Sequence, residues 1–102
     1  MKLFIDIENI KNQIIKLYNP KGIYLFGSQA TETANMQSDI DLCVVIETDN
    51  RRDLLADMYF RVECNRPFDL LLYTPDEWNN CVCDKTSFAY IINEKGELLY
   101  AR

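Results

Sequence analysis

Leu25-Phe26-Gly27-Ser28, then ten residues from Gln29 to Ser38, then Asp39-Ile40-Asp41-Leu42-Cys43-Val44-Val45-Ile46: the fold of this chain is decided here. Ile23 to Phe26 is a short apolar run bounded by glycines and reads as a buried strand. Gly27 lets the backbone turn sharply and lets a ligand come close, while Ser28 can cap a following helix whose free N–H groups attract phosphate. The plain alternative is an ordinary strand-to-helix turn. Asp39 to Ile46 is rich in β-formers and reads as a second strand. Side chains alternate along a strand, so Asp39 and Asp41 share one face and Ile40, Leu42 and Val44 the other. Two carboxylates about 7 Å apart on one strand can converge on a hard cation, and their repulsion is costly unless a cation relieves it. The plain alternative is a solvated strand start.

Outward from this pair of strands the pattern alternates. Ile7, Ile10, Ile14, Leu17 and Tyr18 recur at helical spacing, which predicts an amphipathic helix over about 5–18, stopped by Asn19-Pro20-Lys21-Gly22. Ala30 and Ala34 give the polar stretch 29–38 a helical spacing. Leu54, Leu55, Met58, Tyr59 and Val62 mark a helix starting near Asp53. Phe68-Asp69-Leu70-Leu71-Leu72-Tyr73 is the third strand, and Thr74-Pro75-Asp76-Glu77 a helix start with Thr74 as N-cap and Pro75 in the first turn. Helical character continues through Phe88, Ile91 and Ile92, with a break near Lys85, and ends at Gly96. Leu98-Leu99-Tyr100 fits a short last strand. Helices alternating with strands argue an α/β (α+β) domain with a small mixed sheet flanked by helices.

Asp69 stands inside the most hydrophobic strand. If buried it needs a partner; alternatively it is an exposed position on an edge strand. With Asp39 and Asp41 it makes a third carboxylate. The spaced Gly-Ser and Asp-x-Asp match arises by chance in on the order of one chain per thousand of this length. A phosphate-binding turn with three carboxylates suits two-metal phosphoryl chemistry.

Composition narrows the chemistry further. The 102 residues are one domain, 1–102, with a core small enough that a partner or a homodimer is plausible. Eleven Lys and Arg against 16 Asp and Glu give −5, without the basic footprint of a duplex nucleic-acid binder. Histidine is absent, which removes Ser-His-Asp and Cys-His catalysis and His-containing zinc sites and leaves carboxylates to do the work. Cys43, Cys64, Cys81 and Cys83 lack C-x-x-C spacing. The first residues form no signal-peptide h-region and no run approaches a membrane span. Reduced thiols and a cytoplasmic location are therefore expected. Tyr59, Phe60, Trp78, Phe88 and Tyr90 fall in helical segments and read as core or interface.

The Leu25-Phe26-Gly27-Ser28-Gln29-Ala30 stretch, its spacing to Asp39-Ile40-Asp41-Leu42, and the later Phe68-Asp69-Leu70-Leu71 resemble the minimal nucleotidyltransferases of the polymerase-beta-type nucleotidyltransferase superfamily. The resemblance extends over most of the chain. It implies a mixed sheet flanked by helices and transfer of a nucleoside monophosphate from an NTP, with pyrophosphate leaving. It implies that Gly27 and Ser28 hold the triphosphate and that Asp39 and Asp41 ligate two Mg²⁺ ions. It gives Asp69 to the metal at the attacking hydroxyl. Many relatives carry Arg-Gly where this chain has Thr31-Glu32, so a cation near the phosphates is lost, with Arg51, Arg52 and Lys85 as candidate replacements. Small proteins of this type resemble the antitoxin half of toxin–antitoxin pairs whose partner is a HEPN ribonuclease. The implied activity is transfer of AMP from ATP to a hydroxyl of the toxin, a protein adenylyltransferase. The alternatives are a non-catalytic module that masks its partner by contact, and the catalytic subunit of a small-molecule, antibiotic-type nucleotidyltransferase.

Overall fold

The first helix, α1 (Phe4–Tyr18), places Ile7, Ile10 and Ile14 in the core. The computed structural model describes residues 4–27 and 39–102. Leu17, expected on the same stripe, is 46% exposed. It lies only about 20° round the helix from buried Ile10, so its place in the last turn of α1, not its angle, leaves it outside the core. Tyr18 returns to the packed side, and its hydroxyl donates to Asp57 at 2.7 Å. Burial and this bond push its phenol up to about 12. The helix ends at Asn19, whose positive φ of 52° and N–H bond to the Ile15 carbonyl make a left-handed cap.

Four strands follow the order predicted: β1 (Gly22–Phe26), β2 (Ile40–Val45), β3 (Phe68–Tyr73) and β4 (Glu97–Ala101). They form one mixed sheet in the spatial order β3-β2-β1-β4. β1 is antiparallel to both β2 and β4, and β2 is parallel to β3. The parallel pair needs a crossover, supplied by α2 (Arg51–Arg61). Its N-cap is Asn50, whose side chain accepts from the Asp53 N–H. α3 (Pro75–Cys81) starts on the predicted Thr74 cap, which forms a full capping box with Glu77. The expected break is a turn over 82–87, after which Ser87 caps α4 (Phe88–Lys95). Gly96 closes α4 where no other residue fits: an added Cβ would lie 2.5 Å from the Ile92 carbonyl oxygen and 2.8 Å from that of Leu25.

The sheet is buried on both faces. Against α1 and α2 lie Ile23, Leu25, Ile40, Leu42, Val44, Leu70 and Leu72, an almost wholly aliphatic layer. On the other face Cys43 and Val45, with Tyr24, Phe26, Leu71 and Tyr73 beside them, pack against Trp78 of α3 and Ala89 and Ile92 of α4. Alternation on β2 holds as expected, but the Asp41 face continues into buried Cys43 and Val45 because two helices cover it. Burial pushes the Cys43 thiol up to about 12. All four cysteines are free thiols. The helix expected within 29–38 lies outside the described residues.

Candidate active site

β1 and β2 run in opposite directions, so the end of β1 meets the start of β2. Phe26 pairs with Asp41 across that antiparallel ladder. On its other side Asp41 pairs with Asp69 across the parallel ladder. Paired residues point to the same face, so Asp69, Asp41 and Phe26 form one row across three strands on the α3/α4 side. Asp39 precedes β2 by one residue and is exposed; Asp69 is exposed on the edge strand, the plain alternative for its position, yet directly beside Asp41.

Asp41 is half-buried, and its carboxyl is held above the usual carboxylate range. Burial is the first cause; the negative charges of Asp69 and then Asp39 add to it. Asp41 therefore senses both other acids, and no described cation is paired to it. Gly27 follows with a positive φ of 77°, and an added Cβ would lie 2.5 Å from Asp41 Oδ2. Both facts demand glycine: the backbone is left-handed and it presses on a carboxylate. Ser28, Thr31 and Glu32 lie outside the described residues.

A hard divalent cation fits this donor set in kind and in charge. Among the described residues no group of three or more His, Cys, Asp or Glu is gathered closely enough to hold a metal ion by itself. Mg²⁺ is ordinarily held by one or two carboxylates, with substrate oxygens and water filling the remainder. Asp41 and Asp69, paired on one face, offer two such carboxylates, with Asp39 one residue before β2.

Of the three basic residues considered as phosphate partners, Arg51 and Arg52 are at the wrong end. They open α2, beyond the last residue of β2, and Arg51 is ion-paired to Glu77 at the start of α3. The carboxylate row is at the opposite end of β2. A sequence lists Arg51 ten residues after Asp41 but does not say that a whole strand separates them. Lys85, in the turn before α4, is at the carboxylate end, because the next helix begins with Phe88 against Phe26, ring centroids 5.4 Å apart and edge-on.

One feature was not legible as part of the site. Phe26, Gly27, Phe88, Ile91, Ile92, Lys95 and Gly96 enclose a largely apolar cavity of about 300 Å³ that opens beside Gly27. The signal present in the sequence was Phe88 in a helical segment with Ile91 and Ile92, Phe88 being read as core or interface.

The strand order, the Gly27 turn and the carboxylate row define the nucleotidyltransferase class. The chain belongs to the polymerase beta nucleotidyltransferase family, whose model matches residues 8–102. It is a minimal form of that domain. No curated protein matches it in sequence. It is similar in fold to a chain in a crystal structure of a toxin–antitoxin with AMP-PNP, at 22% identity and a TM-score of 0.53, covering 94% of this chain and 70% of that one. Among the described residues no helix is long and apolar enough to cross a membrane.

Proposed function

We propose that the chain transfers AMP from ATP to a hydroxyl of a partner protein, and that the partner is a toxin of the HEPN ribonuclease kind. The observation that carries this reading is the register of Asp41 with Asp69, with Gly27 pressed against Asp41. The likeness to a toxin–antitoxin chain supports the choice of partner.

In this reading Gly27 and Ser28 hold the triphosphate through backbone N–H groups. Asp39, Asp41 and Asp69 would hold Mg²⁺, two ions in all, which would neutralise phosphate charge and stabilise the attacking and leaving oxygens. Asp69, on the exposed edge strand, is the carboxylate an incoming protein reaches first. The acceptor hydroxyl oxygen forms its bond to the α-phosphorus, and the bond from that phosphorus to the α,β-bridging oxygen breaks. Pyrophosphate leaves with the electron pair, and the hydroxyl proton passes to the Asp69 carboxylate. Asp41 contributes only when deprotonated, so its raised pKa makes activity fall on the acid side.

The test uses purified protein, Mg²⁺ and ATP labelled at the α or the γ phosphorus, added to lysate of the source cell in which the partner is shown to be present. A protein band labelled from α only, and lost in the Asp39→Ala/Asp41→Ala variant, is expected. A band that persists undiminished in the variant overturns the carboxylate roles. Absence of any mutant-sensitive band overturns protein AMPylation and turns attention to small-molecule acceptors.

A second reading is masking of the partner by contact alone. Thr31-Glu32 in place of Arg-Gly, together with the remoteness of Arg51 and Arg52, favours it. Full neutralisation of the toxin by the double variant would decide for masking.

A further inference from the structure

The cavity beside Gly27 lies on the same face as the carboxylates. Across the sheet the row reads Asp69, Asp41, Phe26, and then the cavity. Neighbouring strands are about 4.8 Å apart, so its mouth begins roughly 5 Å beyond Asp41. Its walls are Phe26 and Phe88, set edge-on, with Ile91 and Ile92 from α4 and the bare backbone of Gly96. Phe88 and Ile91 keep 48% and 47% of their surface exposed, so the cavity reaches solvent between them. The volume of about 300 Å³ is at the small end of ligand sites. Lys95 also lines it, one turn after Ile91, and makes no ion pair among the described residues. In a chain of net charge −5, an unpaired ammonium at the rim of an apolar slot favours a ligand with a flat apolar part and an anionic part.

We propose that this cavity takes the nucleobase of the nucleoside triphosphate, stacked against Phe88 and Ile91, with Lys95 holding its phosphates in place of the cation missing at Thr31-Glu32. The inference rests on the nucleotide reading above. It places the base on the β1 side of Asp41 and leaves the Asp69 side open for the acceptor. The two substrates then approach from opposite ends of one row.

The test is calorimetric titration of the full chain, with Mg²⁺, by ATP and by inorganic tripolyphosphate. Phe88→Ala, Ile91→Glu and Lys95→Gln are compared with the parent, each checked for an unchanged thermal melt. Phe88 and Ile91 are both half exposed, so if one variant fails to fold the other still reports. Phe88→Ala and Ile91→Glu should weaken ATP about tenfold, within the range of a lost base–aromatic contact, and leave tripolyphosphate unchanged. Lys95→Gln should weaken both ligands. If ATP affinity is unmoved in all three variants, the base site is overturned while the nucleotide reading stands. If the parent binds neither ligand, both fall. If Ile91→Glu instead splits a dimer and leaves ATP affinity intact, the cavity is covered by a second copy and the proposal is overturned.

Discussion

The two faces of the sheet are built from different materials. Towards α1 and α2 it presents Ile, Leu and Val closed by Met58, with no titratable side chain in the buried layer. Towards α3 and α4 it presents Tyr24, Phe26 and Tyr73 around a buried thiol, packed on Trp78 of α3, and at one end of that face stand the acids. Tyr24 and Tyr73 lie on either side of Trp78, at centroid distances of 4.7 and 5.4 Å. Both faces meet in β2, where Ile40, Leu42 and Val44 serve the first and Asp41, Cys43 and Val45 the second. A single strand can thus hold core residues and candidate site residues at once, because the two alternate to opposite sides.

The comparison is broken most severely on the aliphatic face. Leu42→Ala should cost about 2–5 kcal/mol in urea unfolding, since its buried neighbours cannot collapse around the void. A loss below about 1 kcal/mol would mean that face is loosely packed. Next comes the boundary of the carboxylate row. Gly27→Ala combines a left-handed backbone with a contact on Asp41 Oδ2 and should cost about 1–3 kcal/mol. It should also lower nucleotide affinity; unaltered stability would show that the turn relaxes freely. Thr74→Ala removes the cap of α3 and should cost about 1 kcal/mol, with no effect on ligand binding, because this cap is at the far end of the sheet.

The smallest effect has the opposite sign. Asp41→Asn should stabilise the protein at neutral pH by no more than about 1 kcal/mol, the scale of solvent-screened charge pairs. The sign follows from linkage. The folded carboxyl has the higher pKa, so the native state binds the proton more tightly, and stability falls as pH rises from the unfolded value of 3.8 through the raised one. The gain from Asp41→Asn is therefore full above that window and vanishes below it, which a pair of melts near pH 7 and pH 3 would read. Mg²⁺ should act in the same direction on the parent protein, raising its melting temperature, and should leave the Asp39→Ala/Asp41→Ala variant unmoved.

Much of this was legible from residue order, but unevenly. Phe68–Tyr73 is a strand because a continuous apolar run between Pro67 and Thr74-Pro75 allows little else. Thr74 announces its helix because a hydroxyl that satisfies a free N–H is a local device, complete within a few residues. The Gly-Ser and Asp-x-Asp spacing was legible for the same reason. What the order of residues could not carry was anything set by a neighbour distant along the chain. The burial of Cys43 and Val45 depends on α3 and α4. The exposure of Asp69 depends on β3 lying at the sheet's edge. The remoteness of Arg51 from Asp41 depends on the direction in which β2 runs. The cavity beside Gly27 has walls from β1 and α4 and is visible only once those elements meet.

The parallel pairing of β2 with β3 has a temporal consequence. Antiparallel neighbours are joined through β1, but Asp41 and Asp69 become neighbours only after the chain has travelled through the whole of α2 and laid down an outer strand with a single strand partner. Its outer flank is tied only where the Leu70 N–H donates to the Tyr59 hydroxyl at 2.8 Å, and an outer strand is where local opening is cheapest. Peeling β3 away would dissolve the acid pair while leaving β1, β2 and β4 in register. Amide exchange along Phe68–Tyr73 is thus a clock for the site itself: the chain is competent for as long as that strand stays closed.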